Sequence, residues 1–137
     1  MTPERDALLC ARYPHLYRDR LGDKRETPMA YGIQCGDGWF DLLDRLSAKL
    51  EPMCLDGKLK AAQVKSKFGA LRFYFAWMDD HGGPSSEAYA AVREAEEEAA
   101  RTCEDCGRPG EMRRRSVQCE RCWAVGRMQG SISGGVR

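Results

Sequence analysis

Four of the seven cysteines form two closely spaced pairs. Cys103 and Cys106 are separated by two residues, as are Cys119 and Cys122, and twelve residues lie between the pairs. Each Cys-x-x-Cys turn can direct two thiolates at one ion, and the intervening loop can bring the second pair opposite the first. Four thiolates leave no position for a water ligand, so this pattern predicts a structural zinc ion. Iron in a rubredoxin-like site has the same ligand set, and the spacing does not distinguish the two metals.

Basic residues interleaved with aromatic residues form a second candidate site. Cations of this kind can neutralise phosphates, and exposed rings can stack on bases, so the pattern predicts contact with a partner or with nucleic acid. A charged outer face that is only solvated has the same composition, and edge lysines also discourage strand aggregation. The candidate contact residues are Lys65, Lys67, Arg72, Tyr74, Arg113, Arg114, Arg115 and Trp123.

Cys35 is a candidate nucleophile, because it stands between glycine-rich residues close to the start of a predicted helix. Such a position can lower the pKa of a thiol. A catalytic cysteine also needs a histidine, and the two histidines, His15 and His81, lie in ordinary polar surroundings. We therefore expect no catalytic residues, no enzyme activity and no small-molecule substrate.

Length and composition limit the class of protein. A chain of 137 residues, 42% hydrophobic and 31% charged, is expected to fold as one domain with at most a small appendage. The net charge of +1 provides no whole-molecule attraction to DNA or to an anionic membrane. The first residues do not resemble an export signal, no apolar run is long enough to span a membrane, and the cysteine number is odd. A cytoplasmic location, with metal binding rather than disulfides, is expected.

Hydrophobic spacing predicts the elements that must position these residues. A Thr-Pro start favours a helix over 2–12. An apolar stripe predicts a second helix that begins at Asp37 and runs to Met53, and an Ala- and Glu-rich segment predicts a third helix that ends near Thr102. Residues 61–77 alternate with a period of two, which predicts a β-hairpin that bends near 68–70.

The predicted hairpin has two different faces. Val64, Phe68 and Phe73 are expected on its inner face, and the basic residues on its outer face. Because two strands alone are barely stable, residues 30–35 are expected as a third strand. The predicted fold is therefore α+β: about three helices with a two- or three-stranded antiparallel sheet and a C-terminal four-cysteine zinc knuckle. Residues 1–102 form the predicted body, 103–125 the knuckle and 126–137 a flexible tail.

Three ordered motifs resemble one family. They are YGIQCGDGWFDLLDRL at 31–46, QVKSKFGALRFYF at 63–75, and TCEDCGRPG at 102–110 followed by the second cysteine pair. This combination resembles a family of small proteins of tailed phages and proteobacterial prophages, and the resemblance covers about residues 30–123. The chain departs from that family at 113–118, where RRRSVQ replaces the usual Gly-Gly-Trp.

The resemblance implies a biological context rather than a chemistry. Small accessory phage proteins commonly bind a host protein, and inhibitors of bacterial defence, including anti-CRISPR proteins, are one such class. The first hypothesis is therefore a zinc-stabilised, non-enzymatic phage-type protein that binds a host protein. The alternative is a nucleic-acid-binding zinc-ribbon module that uses Lys65, Lys67, Arg72 and Arg113–Arg115.

Overall fold

The computed structural model describes residues 1–133, with side chains through residue 127. It contains four helices and five strands, which confirms the α+β class. The helices are α1 (Pro3–Arg12), α2 (Phe40–Leu50), α3 (Ser86–Ala99) and α4 (Glu120–Ser133). The strands are β1 (Ile33–Gln34), β2 (Leu59–Lys67), β3 (Ala70–Trp77), β4 (Glu111–Arg113) and β5 (Ser116–Gln118).

The first three helices begin and end close to the predicted positions. Pro3 occupies the first turn of α1, where its missing N–H has no helical partner. The hydroxyl of Ser85 accepts a hydrogen bond from the N–H of Ala88 at 3.2 Å and caps α3. The second helix is shorter than predicted, because 3-10 turns at Asp37–Trp39 and Glu51–Cys54 replace its first and last turns.

Strands β1, β2 and β3 form one sheet with β2 in the centre. The β2–β3 hairpin is antiparallel and pairs Val64 with Phe73 on the buried face. Strand β1 pairs with β2 in parallel, so the sheet is mixed rather than purely antiparallel. The reason is the connection: α2 lies between β1 and β2 in the chain, and a helical crossover returns the chain in the same direction.

The turn between β2 and β3 corrects one predicted core position. Phe68 and Gly69 both have positive φ, 54° and 78°, which is the conformation of a tight two-residue hairpin turn. Phe68 therefore lies at the tip of the hairpin with 72% of its surface exposed, and not on the inner face. Periodicity predicted the bend but continued the alternating pattern one residue too far.

The core lies between the sheet and helices α1, α2 and α3. Trp39, Leu43 and Leu50 are fully buried within a cluster that extends from Leu9 to Ala99. Asp6, buried beside this core, accepts hydrogen bonds from Arg20 and from the N–H of Ile33, both at 2.8 Å. No helix among the described residues is long and apolar enough to cross a bilayer.

The C-terminal part contains structure that periodicity did not predict. Strands β4 and β5 pair in a short antiparallel hairpin between the two cysteine pairs. Helix α4 begins after Cys119 and continues to Ser133, so residues 126–133 of the predicted tail are helical. Gly126 makes the helix about 1 kcal/mol less stable than alanine would at that position, and this cost does not end a helix that has already begun. The rest of the predicted tail, 134–137, lies outside the described residues.

Candidate metal centre

The four predicted ligands converge on one point. The sulfur atoms of Cys103, Cys106, Cys119 and Cys122 all lie within 4.8 Å of one another, and those of Cys106 and Cys119 are 3.6 Å apart. A tetrahedral ion with metal–sulfur distances of about 2.3 Å requires sulfur atoms about 3.8 Å apart. The four-cysteine cluster therefore fits a zinc-sized ion with only small side-chain adjustments. This confirms that the predicted ligand set could hold a metal.

The first cysteine pair lies in a tight turn. The carbonyl of Cys103 accepts a hydrogen bond from the N–H of Gly107 at 2.9 Å, and the N–H of Cys103 donates to the carbonyl of Arg108 at 2.7 Å. Gly107 has a φ of +83°, a conformation that only glycine adopts freely. Cys103 is fully buried, whereas Cys106 is exposed, so one side of the four-cysteine cluster faces solvent.

The second cysteine pair lies at the start of α4. The sulfur of Cys119 accepts a hydrogen bond from the N–H of Cys122 at 3.4 Å, in the position of a helix N-cap. This hydrogen bond lowers the pKa of the Cys119 thiol to about 7. Burial and the neighbouring thiols raise the pKa of Cys122, and metal binding must displace the proton that this thiol retains.

Glu104, between the first two cysteines, attaches the knuckle to the body. Its carboxylate accepts hydrogen bonds from the N–H of Gly36 at 3.0 Å and from the hydroxyl of Ser66 at 2.8 Å. Its carbonyl accepts another from the N–H of Gly38 at 2.8 Å, and its own N–H donates to Val117 in β5 at 2.8 Å. Glu104 thus links β2, the segment before α2 and the knuckle, a role that the sequence analysis missed.

Gly36 and Gly38 leave room for the backbone of the knuckle. A β-carbon on Gly38 would lie 2.6 Å from the carbonyl carbon of Glu104 and closer still to the carbonyl oxygen of Cys103. One on Gly36 would overlap the carbonyl oxygen of Glu104. The indole N–H of Trp39 donates to the carbonyl of Thr102 at 2.9 Å. The Cys-Gly-Asp-Gly-Trp motif is therefore the docking site of the knuckle, and its two glycines were the available sequence signal.

The environment of Cys35 raises the pKa of its thiol, whereas an activated thiol has a lowered pKa. Cys35 is buried, and burial together with the Glu104 carboxylate raises its pKa to about 12. The lowering that a helix N-terminus can cause does not occur at Cys35, because the following segment forms a short 3-10 turn and carboxylates, including that of Asp37, raise the pKa further. His15, which a catalytic cysteine would need as a neighbour, contacts the carboxylate of Glu51 at 2.8 Å.

The structure brings the predicted basic residues into two neighbouring groups. Lys65 lies opposite Arg72 on the outer sheet face, Lys67 follows toward the hairpin turn, and Tyr74 lies opposite Gln63. Trp123 is half-buried on α4. The three consecutive arginines Arg113, Arg114 and Arg115 end β4 and form the turn into β5.

Fold and site together define an α+β protein with a four-cysteine cluster that could hold a metal ion. Comparisons with protein-family models, with curated proteins and with solved structures gave no match.

Proposed function

We propose that the chain is a zinc-stabilised, non-enzymatic accessory protein of a phage or prophage that acts in the bacterial cytoplasm by binding a host protein. The observation that carries the structural part is the four-cysteine cluster, because four thiolates saturate a zinc ion and leave no open position on it for a water or a substrate. The raised pKa of Cys35 supports a role without a thiol nucleophile. The phage context, and an anti-CRISPR-like inhibition of host defence, are supported by the resemblance of the three ordered motifs.

The metal itself is the first expected result. The protein, purified from cells without added metal, is expected to contain one zinc per chain, measured by plasma mass spectrometry, and to be colourless. A red protein with one iron per chain would contradict the zinc assignment, since four thiolates around iron absorb visible light. A metal-free, folded protein would contradict the structural role as well.

The partner is tested by affinity capture from a bacterial host lysate. The tag is placed at the C-terminus, because the amino group of Met1 donates to backbone carbonyls of Ile33 and Cys35. After nuclease treatment, a single host protein is expected to remain, and the purified pair is expected to form a stoichiometric complex that tolerates high salt. Loss of every partner on nuclease treatment would contradict a host-protein target.

A further inference from the structure

The tips of the two hairpins touch. A β-carbon placed on Gly69, in the β2–β3 turn, would lie 2.7 Å from Cε of Met112 and 3.5 Å from the carbonyl oxygen of Arg115. Lys67 is the last residue of β2 before that turn, and Arg114 and Arg115 form the β4–β5 turn. The basic outer face of the sheet therefore ends where the arginine-rich turn begins. We call this combined region the two-hairpin surface.

Three arginines surround one indole ring on this surface. The guanidinium carbons of Arg113, Arg114 and Arg127 lie 6.0, 5.6 and 5.9 Å from the centroid of Trp123. Arg113 is also held by Glu111 at 3.3 Å, whereas Arg114 forms no salt bridge within residues 1–127. The three guanidinium groups around the Trp123 ring repel one another, and a bound anion would relieve that repulsion.

The sheet face continues the same charge pattern. Lys65 and Arg72 lie directly opposite one another, and like charges in that position destabilise a sheet. Neither residue forms a salt bridge with any side chain that the structure describes, and the same is true of Lys67. Elsewhere on the body, exposed cations such as Arg12, Arg45 and Lys49 are paired with acids. Arg93 and Arg101 also form no salt bridge within the described residues, so what distinguishes the sheet face is that three unpaired cations lie side by side on it.

Exposed rings lie among these charges. Phe68 is 72% exposed and Tyr74 is 45% exposed, and the ammonium of Lys67 lies 5.8 Å from the Phe68 ring. Phe68 and Arg114 each have a positive φ, 54° and 56°, which costs a bulky residue on the order of 1–3 kcal/mol. Both strained residues present exposed side chains at a hairpin tip, where glycine would relieve the strain.

We propose that the two-hairpin surface binds single-stranded nucleic acid. The cations would neutralise phosphates along the strand, and Phe68, Tyr74 and the Arg–Trp123 cluster would stack on unpaired bases. Bases of a duplex are already stacked on one another, so exposed rings favour a single strand. This activity is separate from binding of a host protein, although it requires the knuckle to be folded.

The test measures fluorescence anisotropy of a labelled oligothymidylate of about 15 nucleotides, a length within the range that one small binding surface covers. We expect saturable binding to the metal-loaded chain, weakening with salt, and weaker binding of a duplex of equal length. Tyr74→Ala is expected to reduce affinity about 5- to 150-fold, the range for loss of one stacked base. Unaltered affinity in Tyr74→Ala would contradict stacking on that ring.

Two charge variants provide the matched comparison. The tip variant carries Lys67→Gln, Arg114→Gln and Arg115→Gln, and the helix variant carries Arg12→Gln, Arg45→Gln and Lys49→Gln. Both lose three positive charges, so any effect of net charge is the same. In a plot of log affinity against log salt, the tip variant is expected to reduce the magnitude of the negative slope by about 2. The helix variant is expected to leave that slope unchanged.

Four outcomes would overturn the proposal. They are no oligonucleotide binding at moderate salt, equal losses in the two charge variants, duplex binding as tight as single-strand binding, and equally tight binding of polyglutamate, which would instead assign an acidic protein partner. Because only purified components are used, failure here leaves the host-protein proposal to its own capture experiment.

Discussion

Replacing Cys106 by serine is expected to abolish stoichiometric zinc binding and to unfold the knuckle while the body remains folded. Structural zinc contributes about 10–16 kcal/mol of binding free energy in small zinc domains, which is comparable to the whole stability of a protein domain. The buried core cluster extends only from Leu9 to Ala99 and includes none of the four ligands. Without the metal, the knuckle has too small a core to remain folded.

The measurement combines zinc content with thermal unfolding and amide exchange of each part. Cys119→Ser is expected to behave in the same way as Cys106→Ser. Cys10→Ser provides the control, because Cys10 is a half-buried thiol outside the four-cysteine cluster. In the ligand variants, amide protection should be lost around Val117 and retained at Leu43. Normal zinc content and an unchanged melting curve in both ligand variants would refute the structural role of the metal.

The second large effect is expected from Gly38→Ala. The added methyl group would overlap backbone atoms of Cys103 and Glu104, which cannot move away as a flexible side chain can. The knuckle must shift, and the hydrogen bond from the N–H of Gly38 to the Glu104 carbonyl is weakened or lost. We expect a loss of about 3 kcal/mol in the free energy of unfolding of the zinc-loaded protein, measured by urea titration.

Gly83→Ala is the matched control for this substitution. No atom lies within 4 Å of a β-carbon placed on Gly83, and its φ is not in the left-handed region. Its effect is expected to stay within about 0.5 kcal/mol. Zinc content should be normal in both variants, which separates docking of the knuckle from metal binding. An unfolding midpoint for Gly38→Ala equal to that of the wild-type chain would show that the contact does not hold the knuckle in place.

Short-range patterns predicted most of the body. The apolar stripe of α2 and the alternation of β2 and β3 reflect local geometry, with periods of 3.6 and 2, so they can be seen in the sequence. The four ligands could also be identified from the sequence, because spacing alone determines which thiolates can face one ion. Their convergence within 4.8 Å confirms that interpretation.

Contacts between segments far apart in the chain could not be predicted from these short-range patterns. The parallel pairing of Ile33 with Val64 depends on the path of α2, and the role of Glu104 depends on residues far away in the chain. Phe68 was assigned to the inner face because its hydrophobicity matched the alternation, whereas the turn conformation placed it outside. The glycines of the Cys-Gly-Asp-Gly-Trp motif were noticed only for their possible effect on Cys35, although steric exclusion by the knuckle accounts for them.

The separation between Glu104 and the glycines it contacts has a consequence for the order of folding. The cysteine pairs close a short loop, whereas Gly36 and Glu104 are 68 residues apart. Closing a short loop costs less chain entropy, so local contacts form before distant ones. Metal capture can therefore precede docking, and the docked state is the last to form. A chain still being synthesised would have a complete body before its second cysteine pair emerges, so the body would already be folded when zinc orders the knuckle and docking completes the structure.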